Sequence, residues 1–166
     1  MLVFDSSTLI LLAKAEILDN FLDDYEGKVL VPKEVEKESC NSKICFDALL
    51  IRKKVQENMI GVVKITDTSL CARLMGDFRI GRGEAEALVL AIERKAKLVA
   101  TDDKNAIKAC KLLRLSFTSA IAILVRLSEK GAIDTGKARA ALNTLIKYGR
   151  YSGEIVKEVK KRIETK

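Results

Sequence analysis

The chain has 166 residues, 48% hydrophobic and 32% charged, which fits a globular protein with a real core and excludes a disordered polymer. Its formal net charge of +7 gives a surface suited to polyanions, chiefly nucleic acid. It contains no histidine, so Ser-His-Asp and Cys-His catalysis and a histidine general base are excluded.

In chain order, Leu2-Val3-Phe4 reads as a short buried strand ending in Asp5. Residues 7 to 23 follow with helical spacing, with Ser6 or Ser7 as the N-cap candidate. Val29-Leu30-Val31 is a second strand, and Pro32 then suits the first turn of a helix, where its missing N–H costs nothing. Residues 43 to 58 read as helix, 62 to 65 as a third strand and 67 to 75 as a short helix. Gly81-Arg82-Gly83 is a loop that opens an apolar helix over 84 to 95, with Ala85, Leu88, Val89 and Ile92 on one face. Leu98-Val99-Ala100 is the next strand, 104 to 113 the next helix and 115 to 117 a last strand. Helices over about 118 to 129, 134 to 147 and 152 to 163 complete the chain.

Strands alternating with helices predict βαβ units, a mostly parallel sheet and a layered α/β fold. There is no repeat and no linker-like segment, so one domain over 1–166 is expected, with a core over about 1–117 and a helical C-terminal segment over about 118–166. The apolar start lacks a basic n-region and carries Asp5, so it does not read as a signal peptide. No apolar run approaches the roughly 20 residues that span a bilayer, and a cytoplasmic protein is expected. Cys40, Cys45, Cys71 and Cys110 form no CxxC pair and read as reduced thiols rather than zinc ligands.

Sites of parallel sheets form outside the carboxyl ends of the strands. Asp5 follows the first strand, and Asp102 and Asp103 follow the strand at 98 to 100. If those strands are neighbours, three carboxylates share one rim, where two charges about 4 Å apart repel by about 4 kcal/mol at an effective dielectric of about 20. Hard cations such as Mg²⁺ or Mn²⁺ relieve such crowding with oxygen ligands. Glu34 and Glu38 share a side of the helix after Pro32, and Glu38 lies close to the face that Val35 would bury. Glu84 and Glu86 stand about 200° apart around their helix, so both cannot face one site squarely. Glu84 in the first turn is an ordinary partner of the helix dipole. Glu86, set among Ala85, Ala87, Leu88 and Val89, is the odder acid and the favoured one, with Glu84 kept as its rival. Asp5, before Ser6-Ser7, also suits a helix cap, and either Asp102 or Asp103 suits the cap of the helix from Lys104.

These residues resemble the PIN-domain nucleases, including toxins of VapBC-type modules and archaeal relatives. The stretches that carry the resemblance are VFDSSTLILLAKA, VPKEVEKE, GRGEAEALVLA and LVATDDKNAIKAC, in the family's order over residues 1 to about 117. The segment 118 to 163 resembles the helical tail of one subgroup. The resemblance implies a Rossmann-like three-layer α/β/α fold and Mg²⁺- or Mn²⁺-dependent cleavage of single-stranded RNA. It assigns catalysis to Asp5, Glu38, Glu86 and Asp103. Metal ligation falls to Asp5, Glu86, Asp102 and Asp103, and supporting roles to Ser7, Thr101 and Glu84. By the usual Thr-x-Asp ending Asp103 is the closer ligand; Asp102 is a second ligand or only a helix cap. Arg82, Lys104 and the tail residues Lys157, Lys160, Lys161 and Arg162 are candidates to hold the RNA backbone. A homodimer and a cognate antitoxin are the implied partners. The main rival is a catalytically weak RNA-binding or scaffold protein of the same fold. A haloacid-dehalogenase-type phosphotransferase would want an Asp where Ser7 stands, and a receiver domain would want its acidic pair at the first strand.

Overall fold

The structure, a computed structural model, describes residues 1–41 and 45–165. Five strands run β1 (Leu2–Phe4), β2 (Val29–Pro32), β3 (Ile60–Val63), β4 (Leu98–Ala100) and β5 (Phe117–Thr118), all parallel, in the order β3-β2-β1-β4-β5. The helices are α1 (Ser6–Lys14), α2 (Leu18–Asp24), α3 (Lys33–Cys40), α4 (Phe46–Gln56), α5 (Thr68–Phe78), α6 (Arg82–Glu93), α7 (Lys104–Leu112), α8 (Ala120–Glu129), α9 (Thr135–Tyr148) and α10 (Gly153–Glu164). This is the expected three-layer α/β/α arrangement.

The alternation of side chains along a strand divides the core. Leu2 and Phe4 of β1 join one apolar cluster with α1, α2, α8, α9 and α10. Val3 and Val99 face the other side, against Leu74 of α5, Leu88 of α6 and Ala109 of α7. Because both faces are covered, the strands are apolar throughout rather than alternating in polarity. Among the described residues no helix is long and apolar enough to cross a membrane.

The expected helix over 7 to 23 is two helices. Glu16 takes a left-handed φ of 58°, Glu16 N–H donates to the Ala13 carbonyl at 3.1 Å and Ile17 N–H to the Leu12 carbonyl at 3.1 Å. This is a Schellman-type stop. It usually carries glycine, and with glutamate there the sequence gives no sign of the break. Asn58, Arg79, Lys95 and Arg114 are likewise left-handed at helix ends. The third and fifth strands are each shifted by two residues or fewer from expectation, to Ile60–Val63 and Phe117–Thr118. Of the helix expected over 43 to 58, residues 43 and 44 lie outside the described residues, as does Lys166 at the chain end.

The C-terminal helices share their core with the central strand: Leu124, Leu142 and Ile163 belong to the same cluster as Phe4 and Leu12. Leu142→Ala should therefore cost about 2–5 kcal/mol and loosen the sheet and the C-terminal helices together. Urea unfolding followed by circular dichroism and by tyrosine fluorescence should give one coincident transition; two separate transitions would show that the segments fold apart.

Candidate active site

The sheet order reverses at β1, which lies between β2 and β4, and ligand sites of such sheets form at this switch point. β1 and β4 are paired in register, Phe4 against Ala100, and Asp5 N–H extends the ladder to the Ala100 carbonyl at 3.0 Å. Asp5 and Thr101, the next residues, consequently stand side by side beyond the carboxyl edge. Both are only 1% exposed.

Asp5 is itself the N-cap of α1, in place of Ser6 or Ser7: its Oδ1 accepts from Thr8 N–H at 2.8 Å. The Ser7 hydroxyl donates to the same carboxylate at 3.1 Å. Burial pushes the Asp5 carboxyl up to about 7, against a lowering by hydrogen bonds from Thr101 and Thr8, and the charge of Asp102 raises it further. The Thr101 hydroxyl also accepts from Asp103 N–H at 3.3 Å, so it ties the two acids together.

Asp103 caps α7, with Oδ1 accepting from Asn105 N–H at 2.9 Å and Ala106 N–H at 2.8 Å. The expected cap role of the pair thus falls to Asp103, not Asp102. Asp103 remains within electrostatic reach of Glu84, whose carboxyl is raised by burial and then by the charges of Glu38 and Asp103. Glu84 accepts from its own and the Gly81 N–H, the reach-back of a capping box at the third helical position. Glu38 comes from the end of α3. Ser6 donates to its Oε2 at 2.6 Å, and a Cβ on Gly83 would collide with its carboxylate. Glycine at that point lets α6 bring Glu84 beside Glu38.

Three of the expected site residues have other partners in the structure. Glu86, the favoured acid of α6, is 5% exposed, but its oxygens accept from Arg82 Nε at 2.9 Å and the Glu34 N–H at 3.3 Å. It fastens α6 to the start of α3, while Glu84, on the other side of the helix, joins Glu38 and Asp103. The apolar neighbours that made Glu86 conspicuous mark a buried carboxylate, tied to an arginine at the surface. Arg82, expected to hold RNA, has this internal partner although its side chain is 63% exposed. Asp102, expected to be a second ligand, has both oxygens engaged by Thr8, Ala120 and Tyr151. Lys104 is exposed on the first turn of α7, beside Asp103. Lys157, Lys160 and Lys161 are exposed on α10, and Arg162 pairs with Glu129 at 2.5 Å. The partners Ser6, Thr8 and Tyr151 carry no sequence signal of their own; only their placement in space makes them part of the site.

The group is therefore Asp5, Asp103, Glu84 and Glu38, with Ser7 and Thr101 supplying hydroxyls. As they stand, each acid takes donors from the protein, and among the described residues no three His, Cys, Asp or Glu side chains converge into a metal-binding group. The donor set is nevertheless all hard oxygen. Asp5 is also a buried carboxyl without a cationic partner among its interactions, the state that a divalent cation relieves.

Between about pH 4 and 7 the folded chain holds a proton at Asp5 that the unfolded chain has released, so stability falls as pH rises through this window. The difference amounts to at most about 4 kcal/mol. In chelator, the urea stability of Asp5→Asn relative to the wild type should rise across this window and level off above it; a flat difference would mean an ordinary carboxyl.

The family model described as DUF3368, a PIN domain, matches residues 1–165. No curated protein matches the chain. With the fold, the switch-point acids and a match along virtually its whole length, the chain belongs to the PIN-domain family, whose members are in general nucleases.

Proposed function

We propose that the protein is a divalent-metal-dependent endoribonuclease acting on single-stranded RNA, with Asp5, Glu84 and Asp103 as the main ligands of Mg²⁺ or Mn²⁺ and Glu38 as a fourth acid. The observation that carries this reading is the buried Asp5 at the β1/β4 switch point, with Asp103 on the adjoining strand end and Glu84 and Glu38 beside it. The net charge of +7 supports a polyanionic substrate.

The bound cation would polarise the scissile phosphate and lower the pKa of water at the site. The chain supplies the rest. Thr8 N–H, Ser7 and Thr101 hold the Asp5 carboxylate in one orientation. Glu38, steadied by Ser6, would accept a hydrogen bond from the attacking water and so orient it. Lys104 at the rim holds a phosphate of the RNA backbone. Asp103 and Glu84 lie in the first turns of α7 and α6, where helix N-termini moderate the mutual repulsion of the acids. A role as the toxin of a pair would add a small inhibitory protein as partner.

The wild type should cleave single-stranded RNA with Mn²⁺ or Mg²⁺ and stop in EDTA. Asp5→Asn and Glu84→Gln should each lose about 100-fold or more. Glu86→Gln should lower thermal stability more than it lowers turnover. Cleavage that survives EDTA and Asp5→Asn would sink the metal mechanism, and RNA binding without any Mn²⁺ binding would favour the scaffold reading. Equal losses for the two glutamate variants would sink the choice of Glu84.

Gly83→Ala separates the site from the fold. The nearest atoms to the added methyl belong to the flexible end of Glu38, and alanine gains up to about 1 kcal/mol of helix propensity. The melting temperature should hold or rise while Mn²⁺ affinity and cleavage fall. Unimpaired cleavage would show that Glu38 is dispensable.

A further inference from the structure

Asp102 is partly buried beside the cluster, and each of its oxygens already has a donor. Oδ2 accepts from the Thr8 hydroxyl at 2.7 Å and from Ala120 N–H at 2.9 Å. Oδ1 accepts from the Tyr151 hydroxyl at 2.5 Å. The Tyr151 oxygen in turn accepts from the Ile121 N–H, and Ser119 caps the Ala122 N–H. The first three amides of α8, which have no partner within the helix, are satisfied in this way. Two of them go to the Asp102–Tyr151 pair.

The three donors to Asp102 come from separate parts of the chain. Thr8 lies on α1, three residues after Asp5. Ala120 opens α8. Tyr151 lies in the link between α9 and α10. Asp5 feels the charge of Asp102, and Tyr151 lies within electrostatic reach of Asp5. Asp102 is thus an acid next to the cluster that the C-terminal segment occupies.

We propose that Tyr151 is a positioning residue for the acid cluster: by holding Asp102 Oδ1 it keeps Asp102 out of the cation's ligand set, leaving Asp103 as the ligand from β4. The C-terminal helices thereby fix how much negative charge the cluster presents. This rests on the reading of the cluster as a cation site.

Mn²⁺ titration calorimetry on the full chain, with thermal unfolding alongside, tests it in the wild type, Tyr151→Phe, Asp102→Asn and the double variant. Tyr151→Phe releases a charged oxygen near Asp5 and should bind Mn²⁺ about threefold or more tighter, an effect that should vanish in the Asp102→Asn background. Should Tyr151→Phe fail to fold, Asp102→Asn alone still tests it: an acid kept out of the ligand set should change the affinity less than about threefold on its removal, and a loss of tenfold or more would overturn the proposal. An unshifted affinity in Tyr151→Phe, or a shift that persists without Asp102, would also overturn it, the latter because Tyr151 would then act by holding the fold alone. If the wild type binds Mn²⁺ and the variants match it, only the role of Tyr151 falls. If the wild type binds none, the nuclease reading and this role fall together.

Discussion

The in-register pairing of β1 with β4 is the constraint on which the site depends. It puts Asp5 and Thr101 side by side just beyond the sheet and under the surface. A carboxylate there loses most of its hydration, which is why the Asp5 carboxyl is raised to about 7 despite hydrogen bonds that favour its charged form. A fold selected for stability alone has no use for this group. Asn would keep a cap acceptor for Thr8 N–H without the cost of a buried charge. The cost makes sense if the charge is wanted at the point where a cation and a phosphate meet.

The acids of the site also cap helices. Asp5 caps α1, Asp103 caps α7 and Glu84 reaches back to the first amides of α6. The bland and the functional readings of these residues are therefore compatible. A helix N-terminus carries roughly half a positive charge in its unsatisfied amides. Three of them aimed at one rim let several carboxylates gather with less repulsion than they would meet in isolation. The same capping directs the acids, since an N-cap side chain has one well-defined orientation.

The C-terminal segment is part of this arrangement rather than an appendage. Its helices bury Leu124, Leu142 and Ile163 in the cluster that contains Phe4, and its first amides and Tyr151 close around Asp102. The two adjacent aspartates after β4 consequently serve different ends. One faces Glu84 and the start of α7, and the other ties α1, α8 and the α9–α10 link together. Neighbouring residues at a strand end diverge in direction, so a pair of acids in sequence seldom forms a pair in space.

The sequence by itself determined the layered α/β class, the strands at 2–4, 29–31 and 98–100 (the second runs on to Pro32, which caps α3 instead of opening it), and the placing of acids at strand and helix ends. Apolar run length, periodicity and turn residues are local properties, and they suffice for these. The placing of Asp5 and Asp103 at one rim also followed, because parallel strands share it, while Glu38 stood out by its place near the buried face of its helix and by the family resemblance. What only the tertiary structure decided was which partners each member of the close pairs takes. Glu84 and Glu86 differ by about 200° around α6, and that angle has no meaning until the helix is seated. Gly83 against Glu38 and the Glu34 N–H on Glu86 seat it. Asp102 and Asp103 were likewise separable only once Tyr151, distant in sequence, arrived beside one of them. The break at Glu16 was hidden for another reason: a left-handed helix stop made by glutamate leaves no residue signature and is fixed by the packing of α1 and α2 on the core.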